Sequence, residues 1–338
     1  MSRIRLIMDE QRRPERPRTV GTVEAELRAM LAAGELELPR PGCGATAQRW
    51  AVLADWGRWD LALARLAEGH TDALAVLAEA GRAAVPDALY GVWAARSGGT
   101  GARLLSGGDG LLLEGTIRFC SGVRSLDRAL VVADAPGTAS SGRLLVDVVV
   151  AHPRVHLVPD TWQTSAMDAA DTQDVRFDEL PVERDVVIGA ADWYNSRPGF
   201  AFGAAGVAAV WWGGAAGLLH RVTGHLSPAP DAHQLAHLGE LHALLEAADA
   251  LLARTATALD AAPGADHSRR VAEVRCAVER AAREVIDRAP RMVGPAPLSR
   301  DGELARALAD LALYIRQHHA ERDHAALGAQ VLAARRGR

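Results

Sequence analysis

Lysine is absent from this sequence of 338 residues, so every one of its 38 basic residues is an arginine. A phosphate-binding P-loop needs a lysine that reaches the β- and γ-phosphates. Kinase-type sites and Schiff-base chemistry need a titratable amine, which the permanently charged arginine cannot supply. The missing lysine therefore excludes P-loop enzymes, kinase-type enzymes and Schiff-base enzymes.

Cysteine is also scarce, because only Cys43, Cys120 and Cys276 are present and they form no CxxC pair. Such a pattern indicates reduced thiols in a cytoplasmic protein rather than a disulfide framework or a zinc site. The net charge of −4 gives no excess positive field, so we expect no nucleic-acid partner. Residues 1–19 lack an apolar stretch and are predicted to be a disordered basic arm, not a signal peptide.

Hydrophobic periodicity divides the rest of the chain into three regions. Residues 20–88 have the spacing of apolar residues that is typical of helices, which predicts an N-terminal helical domain. Residues 89–188 contain short β-type runs separated by glycine-rich turns, which predicts an antiparallel barrel or sandwich. Residues 189–338 contain four long helical segments, which predicts a four-helix bundle. The predicted fold class is α+β.

The segment Gly199–Leu219 carries no charge and is long enough to cross a bilayer. Its GxxxG pairs, Gly199/Gly203 and Gly213/Gly217, also occur in packed membrane helices. However, the segment is mostly alanine and glycine and stands alone in a helical region. We therefore predict a buried central helix that neighbours approach closely, and no membrane span.

Histidines are concentrated in the bundle region. The last predicted helix, residues 301–334, carries His318, His319 and His324, and such an ionisable group could hold a catalytic base. An earlier helix carries an i,i+4 pair without the glutamate of an HExxH site, so no metal site is predicted there. The histidines of that helix are interpreted as solvated side chains at His233, His237 and His242.

Phe119, Cys120 and Ser121 end a predicted strand, just before Gly122. An aromatic ring, a small polarizable residue and a hydroxyl could together contact a planar cofactor, although an ordinary strand and turn would have the same pattern. The sequence has no GxSxG elbow and no GxGxxG motif after a strand. Acyl-serine hydrolases and Rossmann dehydrogenases therefore have no support.

The stretch EGTIRFCSGVRSLDRALVVAD, residues 114–134, resembles the "NGxKxWITNxxxADxxVxA" strand pair of the acyl-CoA dehydrogenase superfamily. The order of the three regions resembles that family too. The resemblance places Phe119, Cys120 and Ser121 at the triplet that covers the isoalloxazine ring of FAD, with the hydroxyl of Ser121 on flavin N5. It implies a flavin oxidoreductase that forms homo-oligomers and acts on acyl-CoA or a related acyl thioester.

Two further stretches support the resemblance. AARSGGTG, residues 94–101, falls where the family has "TEPxAGSD", which places Thr100 at the serine that contacts the flavin pyrophosphate. WQTSAMDAADTQDVRFDELPV, residues 162–182, is similar to "GxRxSxTxxVxFxxVxVP". The resemblance implies that Trp93, Phe119 and Trp162 line the flavin ring.

The catalytic base of the family is where this chain departs from the pattern. One family base lies eight residues after an aspartate that corresponds to Asp310, and His318 occupies that position. The other family base precedes the arginine that corresponds to Arg197, and Ser196 occupies that position. The resemblance therefore implies that His318 is the catalytic base of this chain.

The segments that clamp the cofactor diphosphate in the family are replaced here by RMVGPAPLS and HLSPAPDAHQLAHLG. Two alternatives follow from these departures. The chain could be a catalytically silent subunit that pairs with an active homologue. It could also be a flavin-dependent monooxygenase on the same fold, since such enzymes lack the glutamate and often carry a histidine near the flavin.

Overall fold

The structure is a computed structural model, and it describes residues 18–96, 98–107, 110–137 and 142–336. Most of the predicted basic arm, residues 1–19, lies outside the described residues. Within the described part, Thr19 caps the first helix, because its hydroxyl accepts a hydrogen bond from the N–H of Thr22 at 3.2 Å.

The described residues form ten α-helices. In chain order they are α1 (Val20–Ala32), α2 (Thr46–Trp59), α3 (Leu61–Glu79), α4 (Trp193–Ser196), α5 (Pro198–Gly224), α6 (Ala232–Ala261), α7 (Ser268–Val293), α8 (Pro295–Arg300), α9 (Gly302–Tyr314) and α10 (Glu321–Arg336). Pro198 is the first residue of α5. A backbone N–H at this position has no partner within the helix, so the missing N–H of proline costs no hydrogen bond. Gly294, with φ +69°, separates α7 from α8.

The described residues also form eight strands in one sheet. In chain order they are β1 (Tyr90–Trp93), β2 (Gly101–Gly107), β3 (Gly110–Cys120), β4 (Arg128–Asp134), β5 (Arg143–Val149), β6 (Val155–Val158), β7 (Gln173–Val182) and β8 (Val187–Ile188). The sheet order is β6-β7-β3-β2-β4-β5-β8, and β1 pairs with β4.

The sheet differs from the prediction of a purely antiparallel domain. Strand β4 is parallel to β1, with Tyr90 opposite Arg128, and parallel to β2, with Ala102 opposite Ala133. The strands β1 and β2 thus follow one another along the same edge of β4. The other pairings of the sheet are antiparallel. The hairpin β2–β3 provides the crossover that a parallel pair requires, in place of a helix.

Contacts group the described chain into two compact units. The β unit comprises residues 18–38 and 65–200, and the helical unit comprises residues 39–64 and 201–336. Each unit is made of segments that are separated along the chain by segments of the other unit. The division into domains at residues 20–88, 89–188 and 189–338 stays a prediction.

Apolar residues at alternate positions of the strands form the core of the β unit. Leu104, Leu113, Ile117 and Phe177 are each at most 2% exposed. A β-strand points successive side chains to opposite faces, so this alternation buries one face of the sheet. Burial of each of these side chains stabilises the fold by roughly 1.5–3 kcal/mol.

Three glycines bring α2 and α5 of the helical unit into backbone contact. A Cβ atom at Gly57, Gly213 or Gly217 would lie 2.3, 1.9 or 2.3 Å from a carbonyl oxygen of the other helix. No side chain larger than hydrogen fits at such distances. Helix α5 is also the one helix in the described part that is long and apolar enough to cross a bilayer, and 78% of its most apolar 18-residue window is buried.

The helix predicted over residues 301–334 is divided into α9 and α10. A 3₁₀ turn over Ile315–Gln317 and the extended residue His318 separate them. The sequence has no glycine or proline at this point, so the local pattern gives no signal for the break. The break coincides with the burial of His318, which is 3% exposed, and with a hydrogen bond from the N–H of His319 to Asp323 at 3.1 Å.

We expect Gly213→Ala to lower the free energy of unfolding by about 2–3 kcal/mol, because the added methyl group would overpack the contact between α2 and α5. The matched control is Gly239→Ala in α6, where a Cβ atom would meet no atom within 4 Å. That change should be stabilising by roughly 0.5–1 kcal/mol. Urea unfolding curves of both variants measure the difference, and equal midpoints would contradict the close contact.

Candidate functional site

The end of β1 and the residue after β3 are joined by a buried hydrogen bond. The indole Nε1 of Trp93 donates to the backbone oxygen of Ser121 at 3.1 Å. Trp93 is 2% exposed and Ser121 is 7% exposed. A buried indole N–H normally needs such a partner, and the bond fixes the ring. The structure thus brings together two of the residues that the sequence singled out.

The hydroxyl of Ser121 pairs with a second buried hydroxyl. Its Oγ lies 3.0 Å from the Oγ1 of Thr172. The pair has two hydroxyl protons and uses one of them in this bond, so one proton is available to a third acceptor. Sequence reasoning missed Thr172, which lies 51 residues away along the chain.

The backbone is strained where β3 ends. Phe119 has φ +61° and Gly122 has φ +74°. Aromatic residues rarely adopt such angles, and the exceptions cluster at ligand sites. The side chain of Phe119 is 46% exposed, whereas Cys120 is buried and its thiol donates to the backbone oxygen of Ile117 at 3.4 Å. Cys120 is fully buried and pairs with Gln173 of β7, so of these two residues only Phe119 is exposed.

A small cavity adjoins Trp93 and Ser121. Its wall also includes Arg65 and Gly69 from α3 and Gly91 from β1. The cavity therefore combines an aromatic ring, a hydroxyl and a guanidinium group with glycines that leave space. With a volume of about 10 Å³, the cavity has room for about one water molecule.

The exposed ring of Phe119 forms a second part of the candidate site. The guanidinium carbon of Arg118 lies 5.1 Å from the centroid of this ring. One Arg118 nitrogen lies 3.1 Å from the position that a Cβ atom of Gly98 would take. The turn that precedes Thr100 therefore lies beside the pair of Arg118 and Phe119.

Trp162 stands apart from the cavity described above and does not contribute to its lining. Its indole Nε1 donates to the backbone oxygen of Ala166 at 3.0 Å, and the ring is half-buried. The bond orders the loop between β6 and β7. The placement of Trp162 next to a flavin ring stays a prediction.

His318 belongs to the helical unit, where its side chain is fully buried. Its Nε2 lies 3.4 Å from the Sγ of Cys276 on α7 and 3.9 Å from Asp323 on α10. Burial lowers the pKa of His318, while the negative charges of Asp323 and Glu279 act in the opposite direction. Sequence reasoning missed Cys276, because no local pattern links residues that lie 42 positions apart.

Ser196, at the second family position for a base, lies at the end of α4 in the β unit. Its side chain is exposed, and its hydroxyl donates to the backbone oxygen of Asp192 at 3.0 Å. The hydroxyl proton of Ser196 is therefore used in a hydrogen bond within its own helical turn. The residue thus supplies no carboxylate and no basic group.

Residues 191–315 match the family model "Acyl-CoA dehydrogenase, C-terminal domain". No match to the chain was found among curated proteins. The sequence resemblance in this region is therefore supported by a comparison that does not depend on the motifs of the β unit.

Solved structures share the fold over nearly the whole chain. The dibenzothiophene monooxygenase TdsC from Paenibacillus sp. A11-2, solved with FMN and indole, has a TM-score of 0.77 and 17% identity, covering 93% of this chain and 90% of its own. KijD3, solved with FMN and a dTDP-linked amino-keto sugar, has a TM-score of 0.77 and 22% identity, covering 93% and 86%.

A third structure, XiaF from Streptomyces sp. with FADH2 and glycerol, has a TM-score of 0.73 and 19% identity, covering 95% of this chain and 90% of its own. These similarities confirm the predicted α+β fold class and the acyl-CoA dehydrogenase-like architecture.

A buried histidine positions the start of β1. The Nδ1 of His70 on α3 accepts a hydrogen bond from the N–H of Tyr90 at 3.0 Å. His70 is 1% exposed, and burial lowers its pKa to about 4. The imidazole is therefore neutral in the folded protein at neutral pH.

We expect the β unit to lose stability as the pH falls from about 6.5 to about 4. In this window His70 takes up a proton in the unfolded chain but not in the folded one. The contribution of His70 to the free energy of unfolding is therefore complete above the unfolded pKa and is lost as the pH falls. The loss amounts to about 3 kcal/mol. His70→Asn keeps an acceptor near the N–H of Tyr90 without titrating. If unfolding midpoints of this variant depend on pH as strongly as those of the unchanged protein, His70 is not the cause.

Proposed function

Since the chain belongs to the acyl-CoA dehydrogenase superfamily, we propose that it is a flavin-dependent monooxygenase that works with reduced FMN and molecular oxygen. One observation carries the proposal. Neither family position for the base holds a carboxylate, because these positions are occupied by His318 and Ser196.

Oxidation of an acyl thioester begins when a base removes a proton from the carbon next to the carbonyl. His318 is poorly suited to this step, since burial lowers its pKa and weakens it as a base. Ser196 is exposed and bonded to a backbone oxygen. Transfer of an oxygen atom does not begin with this proton removal, so the residues of the chain suit it better.

The β unit has a donor set that fits a flavin ring. The hydroxyl pair of Ser121 and Thr172 is buried and can donate one hydrogen bond to a ring acceptor. Trp93 is held beside it by its hydrogen bond to the backbone of Ser121, and Cys120, the remaining residue of the proposed triplet, is buried behind them. When bound, a reduced flavin would supply the two electrons that activate oxygen. The protein side chains would hold the ring and keep water from it.

The phosphate of the cofactor would be held at the turn before Thr100. The hydroxyl of Thr100 and the guanidinium group of Arg118 are the groups of this region that bind phosphate well. Phe119 would cover the ring from its exposed position, and Trp162 is the second proposed aromatic contact. The guanidinium group of Arg118, which lies beside the turn at Gly98 and 3.6 Å from the carboxylate of Asp174, supports this assignment.

FMN fits the chain better than FAD, the cofactor that the resemblance implies. The family segments for the second phosphate are replaced by stretches that contain Pro228, Pro230, Pro295 and Pro297. Proline has no N–H, so these stretches offer fewer backbone donors to a diphosphate. FMN carries a single phosphate, and FMN is the flavin bound to TdsC and to KijD3.

An acyl thioester dehydrogenase is the second candidate function. The match of residues 191–315 to a family model with that name favours it. The two functions differ in where the electrons come from. A dehydrogenase takes them from an acyl-CoA, whereas the proposed monooxygenase receives a flavin that is already reduced.

We expect the purified protein to bind FMN, to leave it oxidised when an acyl-CoA is added without oxygen, and to change the rate at which reduced FMN reacts with oxygen. Flavin absorbance and stopped-flow mixing measure these effects. Ser121→Ala should weaken FMN binding about fivefold to tenfold, because one hydrogen bond is lost. Ser106→Ala on the exposed end of β2 is the matched control.

Each other outcome has a defined meaning. Bleaching of bound flavin by an acyl-CoA would overturn the proposal in favour of the dehydrogenase. Failure to bind either FMN or FAD would overturn both functions and support a silent subunit that pairs with an active homologue.

His318 is the proposed proton-transfer residue of the reaction, at the position that the resemblance gives to the base. We expect His318→Ala to slow the reaction of bound reduced FMN with oxygen by about 100-fold, the usual scale of a lost acid–base group. The exposed neighbour His319 serves as the control in His319→Ala. Unchanged FMN affinity would show that the variant folds, and an unchanged rate would exclude His318 from the reaction.

A further inference from the structure

Three side chains with metal-binding atoms converge in the helical unit. Cys276 comes from α7, His318 from the break between α9 and α10, and His324 from α10. One ligand atom of each residue lies within 4.8 Å of the others. Cys276 and His318 are buried and His324 is exposed, so the group lies where the interior meets the surface.

The spacing of these atoms is close to that of a tetrahedral metal site. Metal–sulfur and metal–nitrogen bonds to Zn²⁺ place a sulfur and a nitrogen ligand roughly 3.5 Å apart. The Sγ of Cys276 and the Nε2 of His318 are 3.4 Å apart. The ring centroids of His318 and His324 are 5.2 Å apart. A ligand atom of His324 lies within 4.8 Å of the other two ligand atoms.

A hydrogen bond prepares His324 as a ligand. Its Nδ1 lies 2.9 Å from the backbone oxygen of Ala320. A carbonyl only accepts, so Nδ1 carries the proton and Nε2 keeps its lone pair. Metal-bound histidines commonly have one ring N–H bonded to such an acceptor, which fixes the ring and its tautomer.

Carboxylates surround the group and would balance the charge of a cation. Asp323 lies 3.9 Å from the Nε2 of His318, next to the group of three converging ligand atoms. Glu279 on α7 is 2% exposed, and its Oε2 has no hydrogen-bond partner among the described residues. The Nδ1 of His318 is buried without a partner as well. Glu279 acts electrostatically on both Cys276 and His318, so a cation bound to these two residues would offset its negative charge.

We propose that Cys276, His318 and His324 form a binding site for a divalent transition metal, with Zn²⁺ as the ion that this set favours. One thiolate and two imidazoles suit Zn²⁺, and a water molecule would complete four ligands. The sequence alone predicted no metal site. The ligands are 42 and 6 residues apart, and no zinc motif has this spacing.

Metal binding would also affect the proposed reaction, and this consequence rests on the proposed function. A metal on Nε2 of His318 would engage the nitrogen that faces Cys276 and Asp323 and would prevent proton transfer there. Zn²⁺ should therefore inhibit the oxygen reaction of bound reduced FMN. Tight binding without inhibition would contradict the role of His318 and leave the metal site intact.

The site itself is tested without flavin. Co²⁺ is titrated into the purified protein, and the near-ultraviolet sulfur-to-cobalt charge-transfer band reports a thiolate ligand. Zn²⁺ affinity is measured by competition with a chromophoric chelator. We expect the band in the unchanged protein, its loss in Cys276→Ser, and Zn²⁺ binding that is at least about tenfold weaker in His324→Ala.

Two controls make the result specific. Cys43 is an exposed cysteine in the same unit, and His319 is an exposed histidine beside the site. Cys43→Ser and His319→Ala should keep both the band and the affinity. Absence of the band in the unchanged protein, its loss in Cys43→Ser alone, or unchanged Zn²⁺ affinity in His324→Ala would overturn the proposal. Because His324 is exposed, its replacement tests the site without disturbing the core.

Discussion

Backbone contact between α2 and α5 is the constraint on which the helical unit depends. The contact leaves no room for a Cβ atom at Gly57, Gly213 or Gly217, so α5 carries no side chains where it meets α2. A thin helix can be surrounded by others, which explains why an uncharged segment of this length is largely buried. Large side chains then fill the remaining space, and Trp50 and Trp211 are both fully buried. Close packing of this kind makes the helical unit rigid.

The β unit uses polar contacts for a similar purpose. Trp93, Ser121 and Thr172 are all buried, and two hydrogen bonds connect them. Buried polar groups have to be paired, so this network specifies one arrangement of the strand ends. The unused hydroxyl proton and the strained backbone at Phe119 are the features on which the proposed cofactor site rests.

The buried histidine in place of a carboxylate connects the functional proposals. A carboxylate at this position would be a resident base. A neutral imidazole can instead take part in proton transfer or bind a metal, because its pKa and its lone pair respond to the neighbours. The neighbours of His318 are the thiol of Cys276 and the carboxylates of Asp323 and Glu279. Both proposed roles of His318, proton transfer and metal binding, depend on these neighbours.

Sequence by itself determined the order of helices and strands and the buried character of α5, and it singled out the residues around Ser121 as a candidate site. These properties follow from local periodicity, from composition and from a stretch of contiguous residues. Tertiary structure decided the parallel pairing of β1 with β4 and the break before α10. It also decided which residues lie next to Ser121 and His318. Thr172 and Cys276 reach these residues from 51 and 42 positions away, and the folded chain alone brings such distant groups within hydrogen-bond distance. Periodicity reports which face of an element is buried, but not which other element covers it.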